Sequence, residues 1–129
     1  GVLKGLRRQK ALDAAKAMRN SVKIARAAGV KIALGTDAGV GRHGTNAHEF
    51  TLMTTWGGMT NMESIVAGTS SGAKLLGWDE HVGSLAAGKW ADIVAVPGDP
   101  LKDITNMEKA FFVMKGGAVY KTPSVALHP

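Results

Sequence analysis

An α/β fold is predicted by three features of the sequence. A long amphipathic helix leads, after one glycine, into a short apolar run; that run ends on a carboxylate set among glycines; and the last third of the chain changes to strand-like segments divided by tight turns. The helix is read from Leu3 to Ala28, where Leu12, Ala15, Met18, Val22 and Ala25 recur three or four apart, with Lys16, Arg19, Lys23 and Arg26 on the other sides. Gly29 closes it as a C-terminal cap.

Val30 to Leu34 follows as a run rich in β-branched residues, the pattern of a strand buried on both faces and therefore parallel. It continues as Gly35-Thr36-Asp37-Ala38-Gly39, so that Asp37 stands at the strand's C-terminal tip. Barrel enzymes keep metal ligands and bases at that position. Next, Asn46 to Trp56 is predicted as a helix stopped by Gly57 and Gly58. Thr60-Asn61-Met62-Glu63 has the spacing of a capping box, which starts another helix near Asn61. That helix breaks around Gly68 to Ser71, resumes through Ala73 to Leu76 and ends on Gly77.

Beyond Trp78, Ala91 to Val96 reads as a strand stopped by Pro97-Gly98. Phe111 to Met114 faces Ala118 to Tyr120 across a Lys-Gly-Gly turn, giving a small antiparallel sheet. The change of pattern between Val82 and Gly88 divides a barrel-like α/β part, residues 1–81, from a β part, residues 82–129. The residues from Thr122 to Pro129 read as a loose tail.

Composition narrows the function classes. At 129 residues and 45% apolar content the chain can bury one core. It has no cysteine, which excludes disulfides and thiolate metal sites and leaves His, Asp and Glu as the possible ligands. That absence fits a reducing compartment, and a cytoplasmic location is the expectation. No apolar run approaches the roughly 20 residues of a membrane span, and Gly1 to Lys10 is too polar for a signal peptide, so no membrane partner is expected. The net charge of +6 is concentrated early, with eight Lys or Arg in residues 1 to 26 against Asp13 alone. No aromatic interleaves those charges to stack on bases, so they read as the solvated face of a helix rather than a nucleic-acid site.

Asp37 has two local readings, a ligand or base at a strand tip and a residue that caps a helix or anchors a turn. Gly39-Val40-Gly41-Arg42-His43-Gly44 satisfies G-x-G-x-x-G, which raises nucleotide binding as an alternative. Three observations oppose it: Thr36-Asp37-Ala38 separates the first glycine from the strand, Asp37 would repel a pyrophosphate, and the acid nearly 20 residues on, Glu63, is already used by the capping box. His43 and His48 do not form H-E-x-x-H, because Leu52 stands where the second histidine would be. His43, in a glycine loop at the same end as Asp37, is expected to contact substrate, and His48 to be structural or exposed. No base accompanies Thr69-Ser70-Ser71, which reads as a helix junction rather than a nucleophile.

In their order these segments resemble the metal-dependent amidohydrolase superfamily, most closely its imidazolonepropionase and Xaa-Pro dipeptidase branch. Gly29 to Gly39 is similar to the family's last barrel strand, and His43-Gly44-Thr45-Asn46 with Glu49 to the segment after it. Thr60 to Gly77 is similar to the following helices, Val82 to Val94 to the return into a β-sandwich, and Val113 to Val119 to its closing hairpin. The resemblance implies the C-terminal piece of a (β/α) barrel, its last strand and flanking helices, with strands of the accompanying β-sandwich. It implies a divalent metal, zinc by expectation, with Asp37 as ligand and as the group that takes a proton from attacking hydroxide and passes it to the leaving nitrogen. His43, Gly44 and Asn46 would face a small amide substrate, a dipeptide or N-acyl amino acid.

A complete barrel needs about 250 residues, and a catalytic zinc normally takes three protein ligands. Asp37 is the only counterpart of the family's ligands here, so the chain alone is expected to be inactive. Its expected partners are the remainder of the barrel or another copy of itself, joined through the open edge of Val30 to Leu34 and through apolar helix faces.

Overall fold

The computed structural model describes residues 4–39 and 42–123 as an α/β chain with one three-stranded antiparallel sheet. Helix α1, Gly5–Ala27, is followed by α2, His48–Thr55, α3, Asn61–Gly68, and α4, Ser70–Leu75. Strand β1, Ile93–Ala95, a 3-10 helix, Ile104–Lys109, and the hairpin β2, Phe112–Lys115, with β3, Ala118–Lys121, complete it. Leu3 at the expected start of the first helix, Val40 and Gly41 of the glycine motif, and the tail from residue 124 lie outside the described residues.

The helices bear out the sequence reading with shifted ends. Gly29 takes φ 75° just beyond α1, and α3 begins at Asn61 behind Thr60. Here Glu63 N donates to Thr60 Oγ1 at 3.2 Å and Thr60 N donates to Glu63 Oε2 at 2.7 Å, closing both halves of the capping box. The break between α3 and α4 falls at Thr69, whose hydroxyl bonds back to the Ile65 carbonyl. Helix α2 starts two residues later than the predicted Asn46. The amides of His48, Glu49 and Phe50 reach the carbonyls of Thr45, Asn46 and Ala47, so the chain enters α2 through a tight i to i+3 turn.

Two strand expectations come out differently. Val30 to Leu34 is extended but forms no strand ladder, and the sheet that does form is antiparallel. The physical reason is the one that makes the segment look parallel: its backbone needs a neighbour on each edge, and among the described residues it makes two bonds, Val30 N to Ala25 O at the end of α1 and Leu34 N to Ala67 O, both at 3.0 Å. The strand predicted over Ala91 to Val96 shortens to Ile93–Ala95, in register with Phe112 to Met114. Ala91 and Asp92 are drawn instead to the hairpin tip, where Gly116 N donates to Asp92 Oδ1 at 2.7 Å and Gly117 N to Ala91 O at 3.1 Å. The tip takes φ 55° at Gly116 and 81° at Gly117, the left-handed pair that a two-residue hairpin turn requires.

The core is small. Met53, Met59 and Ala67 are buried together, with Val22, Ile32 and Leu34 packed against them, and Ser64 is fully buried with its hydroxyl on the Phe50 carbonyl. Gly83 brings the loop after α4 onto the α3–α4 break. A Cβ there would lie 2.5 Å from that of Ala73, and its φ of 87° already favours glycine. The loop continues to Lys89, whose ammonium donates to the Ser84 hydroxyl at 2.8 Å and to the Asp79 carbonyl, and Trp78 and Trp90 pair edge-on with ring centroids 5.4 Å apart.

Glu63 has a second task. Arg26, in the last turn of α1, donates to both of its carboxylate oxygens at 2.6 and 2.9 Å and docks α1 onto the N-terminus of α3. The backbone bond from Thr60 and the Arg26 guanidinium hold the Glu63 carboxyl at about 2. A depressed carboxylate contributes stability that is present above its ordinary value and lost as pH falls toward the lowered one. The α1–α3 contact is therefore expected to weaken as pH drops from 4.5 toward about 2, and Glu63→Gln to flatten that dependence. Thermal melts across this range check it; identical acid profiles for the two proteins would contradict it.

Candidate active site

The extended segment 30–37 and the tight turn into α2 meet at a cleft of about 420 Å³ lined by Thr36, Asp37, Asn46, His48, Glu49 and Glu108, with Ala38, Arg42 and Thr45 at its margin. Asp37 is exposed there and takes φ 45°, the positive value of the one non-glycine residue so placed among the described residues. Aspartate tolerates the left-handed region better than most side chains, but the conformation is still costly and is kept where the surroundings impose it. The turn continues with Gly39 N donating to Asp37 O at 2.7 Å.

Asn46 reaches across the cleft, its Nδ2 donating to Thr36 Oγ1 at 2.9 Å. His43 and Gly44 stand exposed in the preceding turn, where Thr45 Oγ1 bonds to the Arg42 carbonyl at 2.7 Å, and neither lines the cleft. The structure thus brings Asp37 and Asn46 of the four sequence-predicted site residues together and leaves His43 and Gly44 beside them. It also adds groups with no sequence forecast. Glu108, on the 3-10 helix, accepts the Thr51 hydroxyl at 2.9 Å, and the same oxygen lies 3.0 Å from His48 Nδ1.

His48, exposed on α2 and lining the cleft, ties that helix to the 3-10 helix. Its partner lies 60 positions away, beyond the reach of any local spacing. The hydrogen bonds from His48 and then Thr51 hold the Glu108 carboxyl below the usual carboxylate range. Glu108→Gln is expected to cost less than about 1 kcal/mol at neutral pH, because both partners are solvated, and that cost should fade below the ordinary carboxylate range. Chemical denaturation at two pH values checks this; a loss that grows in acid would contradict it.

Among the described residues no three His, Asp or Glu side chains come together so as to hold a metal ion. Asp37 offers one carboxylate where a catalytic zinc takes three protein ligands. By themselves these residues do not fit a metal.

The family profile described as the amidohydrolase family matches residues 7–122, nearly the whole chain. The chain belongs to the amidohydrolase family. Among solved structures, this amidohydrolase chain is similar to a Xaa-Pro dipeptidase with bound methionine in the active site, at 43% identity and TM-score 0.77 over 81% of this chain and 25% of that one. It is similar to a prolidase solved with N-methylphosphonate-L-proline, at 28% identity and TM-score 0.74 over 81% of this chain and 26% of that one. A third neighbour is the ochratoxinase of A. niger, at 33% identity and TM-score 0.72 over 84% of this chain and 25% of that one. The chain therefore spans about a quarter of the length of these relatives. Comparison with curated proteins gives no match. No helix among the described residues is long and apolar enough to cross a membrane.

Proposed function

We propose that this chain supplies the Asp37-bearing portion of an amidohydrolase that cleaves C–N bonds of small amides, with dipeptides or N-acyl amino acids as the substrate class. The observation that carries the reading is the placement of Asp37: an exposed carboxylate, turned by a positive φ toward an open cleft, at the end of an apolar extended segment of an amidohydrolase chain. The names of the neighbours, a Xaa-Pro dipeptidase and a prolidase, favour dipeptide substrates.

In this reading the segment from Val30 to Asp37 is the last strand of a (β/α) barrel, and the part from Val82 onward belongs to a β-sandwich. Asp37 accepts a proton as water attacks the amide carbonyl and returns it to the leaving nitrogen, with Asn46, His43 and Gly44 toward the substrate. A divalent metal, zinc by expectation, would be held by Asp37 only together with ligands from outside this chain, and would supply Lewis-acid activation of water and carbonyl. In the complete amidohydrolase, Asp37→Asn should lower kcat for dipeptide hydrolysis about a hundredfold or more, while the 129-residue chain alone should bind no zinc tightly and turn nothing over. Unchanged kcat in that variant, or dipeptide hydrolysis by the pure chain, would contradict the reading.

A second reading, self-association, is favoured by the surface. The chain exposes 9668 Å² at a mass of 13.4 kDa, where a compact monomer of that mass exposes about 6500 Å². Leu6, Leu12, Met18 and Ile24 all stand exposed on α1, and the edge of residues 30–34 is open. The isolated chain is expected to form dimers or larger species through these apolar faces. Light scattering that finds only monomer at high concentration, with a cooperative melt, would contradict this.

A further inference from the structure

Asp37 holds a costly backbone conformation on an exposed turn, and such a conformation persists only where neighbouring contacts over-determine it. Three contacts bracket it. Leu34 N is held by the Ala67 carbonyl at 3.0 Å, Gly39 N closes on Asp37 O at 2.7 Å, and Thr36 Oγ1, on the residue immediately before Asp37, accepts from Asn46 Nδ2 at 2.9 Å. The first two belong to the backbone. The third is a side-chain tether from another element.

Asn46 is itself fixed. Its carbonyl accepts Glu49 N at 3.1 Å in the tight turn into α2, and α2 is tied to α3 through the Ser64 hydroxyl on the Phe50 carbonyl at 3.1 Å. A path of hydrogen bonds thus runs from α3 through α2 and the Asn46 amide to Thr36, ending one peptide bond from the carboxylate-bearing residue.

We propose that Asn46 is a positioning residue that acts through the Thr36 hydroxyl to hold Asp37 in its left-handed conformation and so aim its carboxylate into the cleft. The inference rests on the reading of Asp37 as the reacting carboxylate, but its geometric half does not depend on activity. Thr36 is then more than a strand residue, since its hydroxyl is the acceptor that makes the tether possible. A serine keeps that acceptor and a valine removes it at nearly the same size.

The test is NMR on the 129-residue chain, reading the intraresidue Hα to amide NOE of Asp37, which is strong where φ is positive. It should be strong in the parent chain and in Thr36→Ser, and fall to the level of extended residues in Asn46→Ala and Thr36→Val, with α2 and α3 resonances unmoved. A parent chain that lacks it, or an Asn46→Ala chain that keeps it, overturns the inference. In the complete amidohydrolase, Thr36→Val, which keeps the substrate-facing Asn46 amide but removes its acceptor, should lower kcat by up to about a hundredfold with KM little changed, and Asn46→Ala should add little further loss of kcat to it. Additive losses in the double variant overturn the shared path. If Asp37→Asn leaves hydrolysis intact, the catalytic reading falls while the NOE still decides the tether.

Discussion

The amide of Leu34 donates to the carbonyl of Ala67 at 3.0 Å, and the placement of the cleft depends on that bond. It fastens the extended segment to α3 at the most buried apolar residue of the core, Ala67, 1% exposed. Ile32 and Leu34 pack beside it on Met53 and Met59. Three residues farther along, the segment ends on Asp37, so the carboxylate sits where α3 puts it. The cost of ordering an extended stretch with two backbone bonds is offset by apolar packing on one face alone.

Charged side chains then hold the surrounding elements in place. Glu63 closes the capping box of α3 and accepts Nε and Nη2 of Arg26 from α1, so one carboxylate sets the start of one helix and the docking of another. Glu108 performs the comparable task between α2 and the 3-10 helix through His48 and Thr51. Arg19 lies over the Trp56 ring at 4.3 Å. Basic residues that read as a solvated face thus serve partly as fasteners.

What was legible in the sequence was local. Thr60 and Glu63 announced the capping box because its two halves lie three residues apart, and the two glycines after Lys115 announced the hairpin because only such residues suit its turn. Asp37 stood out because an apolar run ended on it. The bond from Asn46 to Thr36 spans ten positions and that from His48 to Glu108 spans sixty, and no periodicity encodes either. Val30 to Leu34 stands outside the sheet for a physical reason: the composition of a doubly covered strand states a need for neighbours, and a ladder forms only when they are present.

That unmet need stands beside exposed leucines and methionine along α1, in a chain that spans about a quarter of the length of its relatives. The proposed role of Asp37 makes it one ligand of a metal site that the whole amidohydrolase would complete. Anomalous diffraction at the zinc edge, from crystals of the complete protein grown with zinc, tests it most directly. A peak about 2.0 to 2.2 Å from an Asp37 carboxylate oxygen is the expected result; a zinc site in an active enzyme that leaves Asp37 out of its ligands would overturn the proposed role.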